Sequence, residues 1–347
     1  MKSNQTVIAH VHTNWNVCAL LLYISKIKPC RLIIVLNNPS VTIVNFLQKS
    51  IAGLNVELID AGSHSEKLLC LLKVRSRSTG KNNTTYVKFT NFSHFGQVLQ
   101  KIGRFNRVVF IDDGTTFLNI LDDTIEYTYG WRKIFKQILW PPGFEPRFDC
   151  FHGVDVAYIS HLDLIKTKVD NSSSSFQNFL VLFSIQRLKE VVDMYLVLDQ
   201  QISHWLDLVD RHDTLVLGSS LVEHRFLSFA DYDEILGQIN LKISTKTIYK
   251  PHPGEAKRSS ITSAPTWAYD SLSDIPIEIF FCYGYPENLV SFGSTTSFLL
   301  TAEKLNMKNY FFLLESLFCD RTYEMLKDKN FPGTEFSRIS TSVFESL

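Results

Sequence analysis

The sequence predicts an α/β protein made of two Rossmann-like halves with a cleft between them. Short strands that are apolar throughout alternate with helical patterns, which is typical of a parallel sheet covered on both faces. The length of 347 residues is more than one ordinary core holds and suits two domains. We therefore expect an N-terminal domain over residues 1–200 and a C-terminal domain over residues 201–347.

The two halves repeat the same alternation. In the first half, strands are expected at 6–12, 31–37, 55–60 and 107–114, and helices at 17–26, 41–51, 65–74 and 95–102. In the second half, strands are expected at 214–220, 246–253 and 309–315, a strand running into a helix at 288–305, and helices at 231–239 and 319–328. The middle, 150–210, gives no clear pattern, and 73–81 is predicted to be a basic loop.

Composition excludes several classes of protein. Hydrophobic residues make up 45% and charged residues 20%, which indicates a globular chain. Lys plus Arg equals Asp plus Glu, at 35 each, so no net field favours nucleic acid. The six cysteines form no CxxC pair and are predicted to be reduced core thiols. No oligomeric state is predicted.

The expected location is cytoplasmic. The N-terminus has no apolar signal-peptide core, and no apolar run approaches the ~20 residues of a membrane helix. Two stretches leave peripheral contact with the inner face of a membrane open. They are the basic segment 73–81 and the mixed aromatic and basic segment 130–140. For both, the plainer alternative is a solvated loop or a packed helix.

Polar clusters follow the predicted strands where each strand ends. They are "DDG" at 112–114, "GSS" at 218–220, "KPHP" at 250–253 and "GSTTS" at 293–297. Ligands of such sheets bind outside the carboxyl ends of the strands. The sequence therefore predicts a site in the cleft, built from these ends.

Asp112 and Asp113 are candidates for a general base. Adjacent strand residues point to opposite faces, so one carboxylate is expected to face the cleft. A cleft-facing carboxylate can accept a proton from a substrate hydroxyl. The alternative is a turn or helix-capping aspartate, and two adjacent carboxylates are weak support for a metal.

The second half offers groups that suit a phosphate. Lys250 supplies a cation and His252 a donor or acid, held between two prolines. The hydroxyls at 294–297 precede a predicted helix, whose first N–H groups bind anions. The alternatives are a proline-rich turn with a solvated Lys and an ordinary helix cap. Glu278, in an apolar run, is either an exposed strand residue, which the pattern slightly favours, or a partner for a ribose diol.

The remaining histidines lack the spacing of metal ligands. His10 and His12 are expected on one face of the first strand, with His12 at its carboxyl end. A role in the core or in lining a site fits them better than a metal.

Four motifs in order resemble a known family. "IDDG", "YKPHPGE", "DIPIEIFF" and "SFGSTTS" resemble the bacterial GT-B sialyltransferases, namely the lipooligosaccharide sialyltransferases and the capsular polysialyltransferases. The resemblance covers residues 111–297, and the segment around Gly218 and Ser219 looks like that family's entry into its donor domain. The family's Ser/Thr pair is usually Ser-Ser or Ser-Thr, so the pair at this position stays open.

The resemblance implies a role for each matching residue. Asp112 or Asp113 would deprotonate the acceptor hydroxyl, and His252 would protonate or hydrogen-bond the leaving CMP phosphate. The donor-binding residues would be Lys250, Pro253, Gly218, Ser219, Glu278, Thr295, Thr296 and Ser297.

The expected activity is an inverting transfer of a nonulosonic acid, sialic acid or a relative, from a CMP donor to a bacterial surface glycan. CMP carries one phosphate, so a His and hydroxyl groups can replace a metal, and neither a metal nor another cofactor is expected. The alternatives are a related transferase with a UDP-hexose donor and a non-catalytic glycan- or nucleotide-binding scaffold.

Overall fold

Seven strands form the first sheet of the computed structural model. They are β1 (Ser3–Val11), β2 (Pro29–Leu36), β3 (Val56–Asp60), β4 (Asn83–Phe89), β5 (Arg107–Ile111), β6 (Val156–Tyr158) and β7 (Phe179–Leu180). Their order is β3-β2-β1-β4-β5-β6-β7, and every pairing is parallel. This is the strand order of a Rossmann-like sheet, extended by one strand.

The structure describes most of the two sheets and the helices next to them. The described residues are 3–36, 55–78, 83–89, 94–112, 153–158, 179–181, 183–219, 221–222, 227–243, 246–252, 255, 272, 275–292, 305, 307–314 and 334–339.

Helices cover both faces of the first sheet. They are α1 (Asn14–Ile27), α2 (His64–Ser78) and α3 (His94–Ile102). The residues of α1 share a core with Val7 and Ala9 of β1, whereas α2 and α3 share another core with Ile8. Because neighbouring strand residues point to opposite faces, α1 lies on one side of the sheet and α2 and α3 lie on the other.

A second parallel sheet occupies the C-terminal half. Its strands are β8 (Thr214–Leu217), β9 (Thr247–Lys250), β10 (Asn288–Phe292), β11 (Lys308–Leu314) and β12 (Thr334–Ile339), in the order β12-β11-β10-β8-β9. The helices from here on are α4 (Ile185–Tyr195), α5 (Asp199–Arg211), α6 (Phe229–Ile243) and α7 (Ile277–Phe281).

The two halves pack together through α1, α4, α5 and α7. The Trp205 indole of α5 donates to the Gly284 carbonyl at 2.8 Å, and the Cys282 thiol donates to the Ile185 carbonyl at 3.5 Å. One continuous apolar core includes residues of both sheets, such as Val11 and Leu215. Burial of this shared core stabilises the junction between the halves.

The strands predicted at 6–12, 31–37, 55–60, 107–114, 214–220, 246–253, 288–292 and 309–315 are confirmed where the structure describes them, with ends shifted by a few residues, whereas the apolar run around Glu278 is a helix, α7. The pattern missed β4, β6, β7, β12, α4 and α5. The predicted basic loop at 73–81 is wrong over 73–78, which belongs to α2. Buried Cys70, Val74 and Ser78 recur every four residues, so the helix continues through the basic stretch.

The expectations for the cysteines are confirmed only in part, and the domain boundary stays a prediction. Cys18 and Cys70 are buried free thiols as predicted, but Cys30, the second residue of β2, is exposed, so that prediction is wrong for Cys30. The change from one sheet to the other falls between Leu180 and Thr214, and the exact boundary at 200 stays a prediction. Among the described residues, no helix combines the length and the apolar character that a bilayer crossing requires.

Candidate active site

Asp112 lies directly after β5 and is only 5% exposed. Its N–H donates to the Tyr158 carbonyl at 3.0 Å, which continues the ladder between β5 and β6 by one residue. Asp112 therefore keeps the alternation of the strand and lies on the face of Val108, which belongs to the core under α2 and α3. A buried carboxylate at a strand end can act as a base on a bound hydroxyl.

Lys250 and His252 lie at the end of β9 and differ in burial. Lys250 is 6% exposed and is the last residue of the strand, whereas His252 is exposed. The alternative of a turn with a solvated Lys is therefore wrong for Lys250. Because the Lys250 side chain is kept from water, its charge interacts more strongly with any nearby anion.

A buried carboxylate, Glu255, holds the backbone of His252. The His252 N–H donates to Glu255 Oε2 at 3.2 Å, and the Glu255 N–H donates to the His252 carbonyl at 2.9 Å. These reciprocal bonds close a short loop around His252. The imidazole is thus presented to solvent from a backbone that is itself tied down.

Two buried tyrosines complete this network. The Tyr249 hydroxyl donates to Glu255 Oε1 at 2.8 Å, and the Tyr232 hydroxyl donates to the same oxygen at 3.3 Å. Burial raises the pKa of both hydroxyls, and the Glu255 carboxylate raises it further, so both stay protonated and donate. The sequence pattern missed the role of both tyrosines, and it gave Glu255, three positions after His252, no firm role.

Gly218 follows β8 and allows the network to approach the backbone. A Cβ at this position would lie 2.6 Å from both Glu255 Oε1 and the Tyr249 hydroxyl. The Gly218 N–H donates to the Lys250 carbonyl at 2.8 Å, and the Ser219 N–H donates to the Tyr232 hydroxyl at 3.0 Å. The ends of β8 and β9 are therefore joined into one platform, which we call the strand-end platform: Gly218, Ser219, Tyr232, Tyr249, Lys250, His252 and Glu255.

Comparisons with known proteins show what this arrangement is similar to. The chain matches no protein-family model and no curated protein. Among solved structures, it is similar to an α/β-galactoside α-2,3-sialyltransferase from Photobacterium phosphoreum. That match has a TM-score of 0.58 and 13% identity, and it covers 96% of this chain and 98% of that chain.

A second match is a putative UDP-N-acetylglucosamine 2-epimerase from Listeria monocytogenes. Its TM-score is 0.53 at 9% identity, and it covers 88% of this chain and 78% of that chain. With two parallel Rossmann-like sheets in sequence, these likenesses decide the fold. The chain has the GT-B fold.

In this GT-B fold, Glu278 lies where the two halves meet. It is in the first turn of α7 and is 8% exposed, so the slightly favoured reading as an exposed strand residue is wrong. The five-residue helix forms because Ile277 and Ile279 pack into the shared core. Burial raises the pKa of the Cys18 thiol of α1, and the nearby Glu278 carboxylate raises it further, which places Glu278 beside the first half.

The other candidate residues lie outside the described residues. They are Asp113, Pro253, Thr295, Thr296 and Ser297, and the segment 130–140 lies outside them too. Of the four polar strand ends that the sequence predicts, three are described in whole or in part, and each follows its strand. The GT-B fold thus brings Lys250, His252, Gly218 and Ser219 onto one platform and places Asp112 on the other sheet.

Proposed function

We propose that this protein is an inverting glycosyltransferase that moves a nonulosonic acid from a CMP donor to a hydroxyl of a bacterial surface glycan. The observation that carries the proposal is the strand-end platform, which holds an exposed His252 beside a buried Lys250. Asp112, a buried carboxylate, ends a strand of the other sheet. A base and an acid on separate halves suit a reaction between an acceptor and a donor.

The proposed transfer uses the side chains as follows. The Asp112 carboxylate accepts the proton of the acceptor hydroxyl, whose oxygen bonds to the anomeric carbon of the donor. The bond from that carbon to the phosphate oxygen breaks, with inversion. His252 gives a hydrogen bond or its proton to that phosphate oxygen, and the Lys250 ammonium stabilises the negative charge of CMP.

The remaining donor contacts follow from the resemblance. Glu278 would accept hydrogen bonds from the ribose hydroxyls, and Pro253 would line the cytidine pocket. Gly218 and Ser219, together with hydroxyls among Thr295, Thr296 and Ser297, would surround the phosphate. No metal or other cofactor is expected, which stays a prediction.

Two alternatives remain alongside this proposal. A related transferase with a UDP-hexose donor would use the same kind of platform. A non-catalytic glycan- or nucleotide-binding scaffold would need neither the base nor the acid, and the positioned His252 argues against it.

A donor panel tests the proposed function. We expect CMP, but not UDP, to raise the melting temperature, and a CMP-nonulosonate to release CMP when a glycan acceptor is present. CMP-sialic, CMP-pseudaminic and CMP-legionaminic acids and UDP-hexoses form the panel, each with and without EDTA. Turnover should be the same in EDTA as in Mg²⁺. Stabilisation by UDP alone, or turnover that depends on Mg²⁺, would contradict the proposal.

We also propose that α2 contacts an anionic membrane surface, with the protein at the cytoplasmic face. Leu68, Leu69 and Leu72 are 60%, 56% and 58% exposed and form one stripe on the helix. Lys73 and Arg75 flank this leucine stripe on either side and are exposed. Apolar side chains between cations fit a bilayer of anionic lipid.

Vesicle binding tests the membrane contact. Replacing both Leu68 and Leu72 with serine should weaken binding to phosphatidylglycerol vesicles by about a hundredfold, because two leucine side chains that would enter the bilayer are lost, at ~1.5 kcal/mol each. Val197→Ser, at a residue that is 70% exposed elsewhere, is the matched control. Equal sedimentation of both variants, or equal binding to phosphatidylcholine vesicles, would contradict the contact.

A further inference from the structure

Three side chains at the end of β1 and the start of α1 have buried polar atoms without a hydrogen-bond partner among the described residues. In the part of the chain that the structure describes, His10 Nε2, His12 Nε2 and Asn16 Nδ2 have no hydrogen-bond partner. His10 is 3% exposed and Asn16 is 0% exposed. Buried polar atoms are nearly always paired, so three unpaired ones within seven residues point to a polar group that binds there.

The three side chains belong to one turn. The rings of His10 and His12 are in contact, with centroids 4.1 Å apart, and His10 also lies against Phe95 of α3 at 5.6 Å. Asn16 Oδ1 accepts from the His12 N–H at 3.0 Å and from the Thr13 N–H at 3.2 Å. The carbonyl side of the Asn16 amide therefore caps α1, and its NH₂ side remains available.

This turn lies where the order of the first sheet reverses. The chain leaves β1 for β2 through α1 on one face, and it leaves β4 for β5 through α3 on the other. The two connections diverge and open a crevice at the carboxyl ends of β1 and β4. Crevices at such switch points are where α/β sheets bind ligands.

The strand register connects this turn to Asp112. Ala9 pairs with Val87, and Val87 pairs with Val109, so His12 is level with Asp112. Side chains at the same level of parallel strands point to the same face. One strand separates β1 from β5, which places the two backbones about 10 Å apart, the space of one or two sugar rings.

The charge of the two imidazoles indicates the chemistry of the ligand. Burial, and then the neighbouring His12, lower the pKa of His10 well below its ordinary value. Burial lowers the pKa of His12 to about 4. Both rings are neutral at pH 7 and each offers one donor and one acceptor, so they suit groups that donate and accept, such as hydroxyls, better than an anion.

We propose that His10, His12 and Asn16 form an acceptor subsite that binds the hydroxyl groups of a neutral sugar beside Asp112. This inference rests on the proposed function, because it assigns the acceptor side of the same reaction. The sugar would exchange hydrogen bonds with the two imidazole Nε2 atoms and accept from the Asn16 amide. One end of the sugar would then lie within reach of the Asp112 carboxylate.

Kinetics with two substrates test the subsite. His12→Ala should raise the KM for the acceptor by about tenfold, the cost of one lost hydrogen bond, and leave the KM for the donor unchanged. Asn16→Asp keeps the capping oxygen but replaces the NH₂ group, and we expect a similar rise. His204→Ala, at an exposed histidine of α5, is the matched control. An unchanged acceptor KM in both test variants would overturn the proposal.

A binding measurement keeps this test separate from that of the proposed function. If no CMP-sugar is turned over, the proposed function fails, and titration with lactose, maltose and cellobiose still decides the subsite. A disaccharide should shift the His12 ring signals in NMR spectra, and His12→Ala should abolish the binding. No shift with any disaccharide, or a Zn²⁺ site that depends on His12 in place of saccharide binding, would overturn it.

Discussion

Replacing His252 with alanine is expected to lower kcat by about 10²–10⁴-fold, the usual contribution of a general acid. The leaving phosphate would lose its proton or hydrogen-bond donor while the donor and acceptor still bind. The His252 side chain is exposed, so the free energy of unfolding should change by about 0.5 kcal/mol or less. Initial rates of CMP release and thermal unfolding measure both effects.

Glu255→Gln separates the position of His252 from its chemistry. Glutamine cannot accept with both side-chain ends, so either His252 or the tyrosines lose their acceptor. We expect a loss of about 1–3 kcal/mol of stability and a smaller loss of kcat than in His252→Ala. Near-normal turnover in His252→Ala would show that His252 has no catalytic role and that the loop is a structural turn, whatever the result for Glu255.

The sequence predicted those parts of the fold whose own residues carry a clear pattern, namely buried apolar strands and the polar residues that follow them. β1, β2 and β5 each contain a run of buried apolar residues, because both faces of the sheet are covered by helices. Asp112 follows such a strand, so its place at a strand end was predictable. Lys250 and His252 were predictable for the same reason, since prolines end β9.

Elements whose stability comes from their neighbours were not predictable. β4 begins "NTTY", and a run of Asn and Thr is typical of a turn, yet Thr84 and Thr85 are fully buried at the centre of the sheet. β7 has two residues and β6 has three, too few for any period. The β-branched "IPIEIFF" favours a strand, but packing at the junction makes α7 a helix.

The candidate site was also predicted only in part. Its residues next to a strand end were predicted, but the residues that hold them in place were not. Tyr232 and Gly218 lie 23 and 37 positions from Glu255, so only the folded chain brings them together. The unpaired atoms of His10, His12 and Asn16 depend on burial that no local pattern reports. The sequence therefore indicated the chemistry of the site better than its architecture.

Replacing Asp112 with asparagine is expected to lower kcat/KM by about 10²–10⁴-fold, the usual contribution of a general base. Asparagine keeps the volume of a side chain that is 5% exposed, and it leaves the N–H bond to the Tyr158 carbonyl in place. It cannot take a proton from the acceptor hydroxyl. The acidic limb of the pH profile of kcat/KM, which reports protonation of the base, should therefore disappear in this variant.

Asp113→Asn is the matched control, because it makes the same change at the next residue. Neighbours along a strand point to opposite faces, and the ladder bond to Tyr158 keeps Asp112 on the face of His12. If Asp112 is the base, the Asp113 variant retains most of its turnover and its acidic limb. A greater loss in Asp113→Asn would assign the base to Asp113. The strand register that puts Asp112 level with His12 would then no longer support the subsite of His10, His12 and Asn16, so this pair of variants tests both assignments at once.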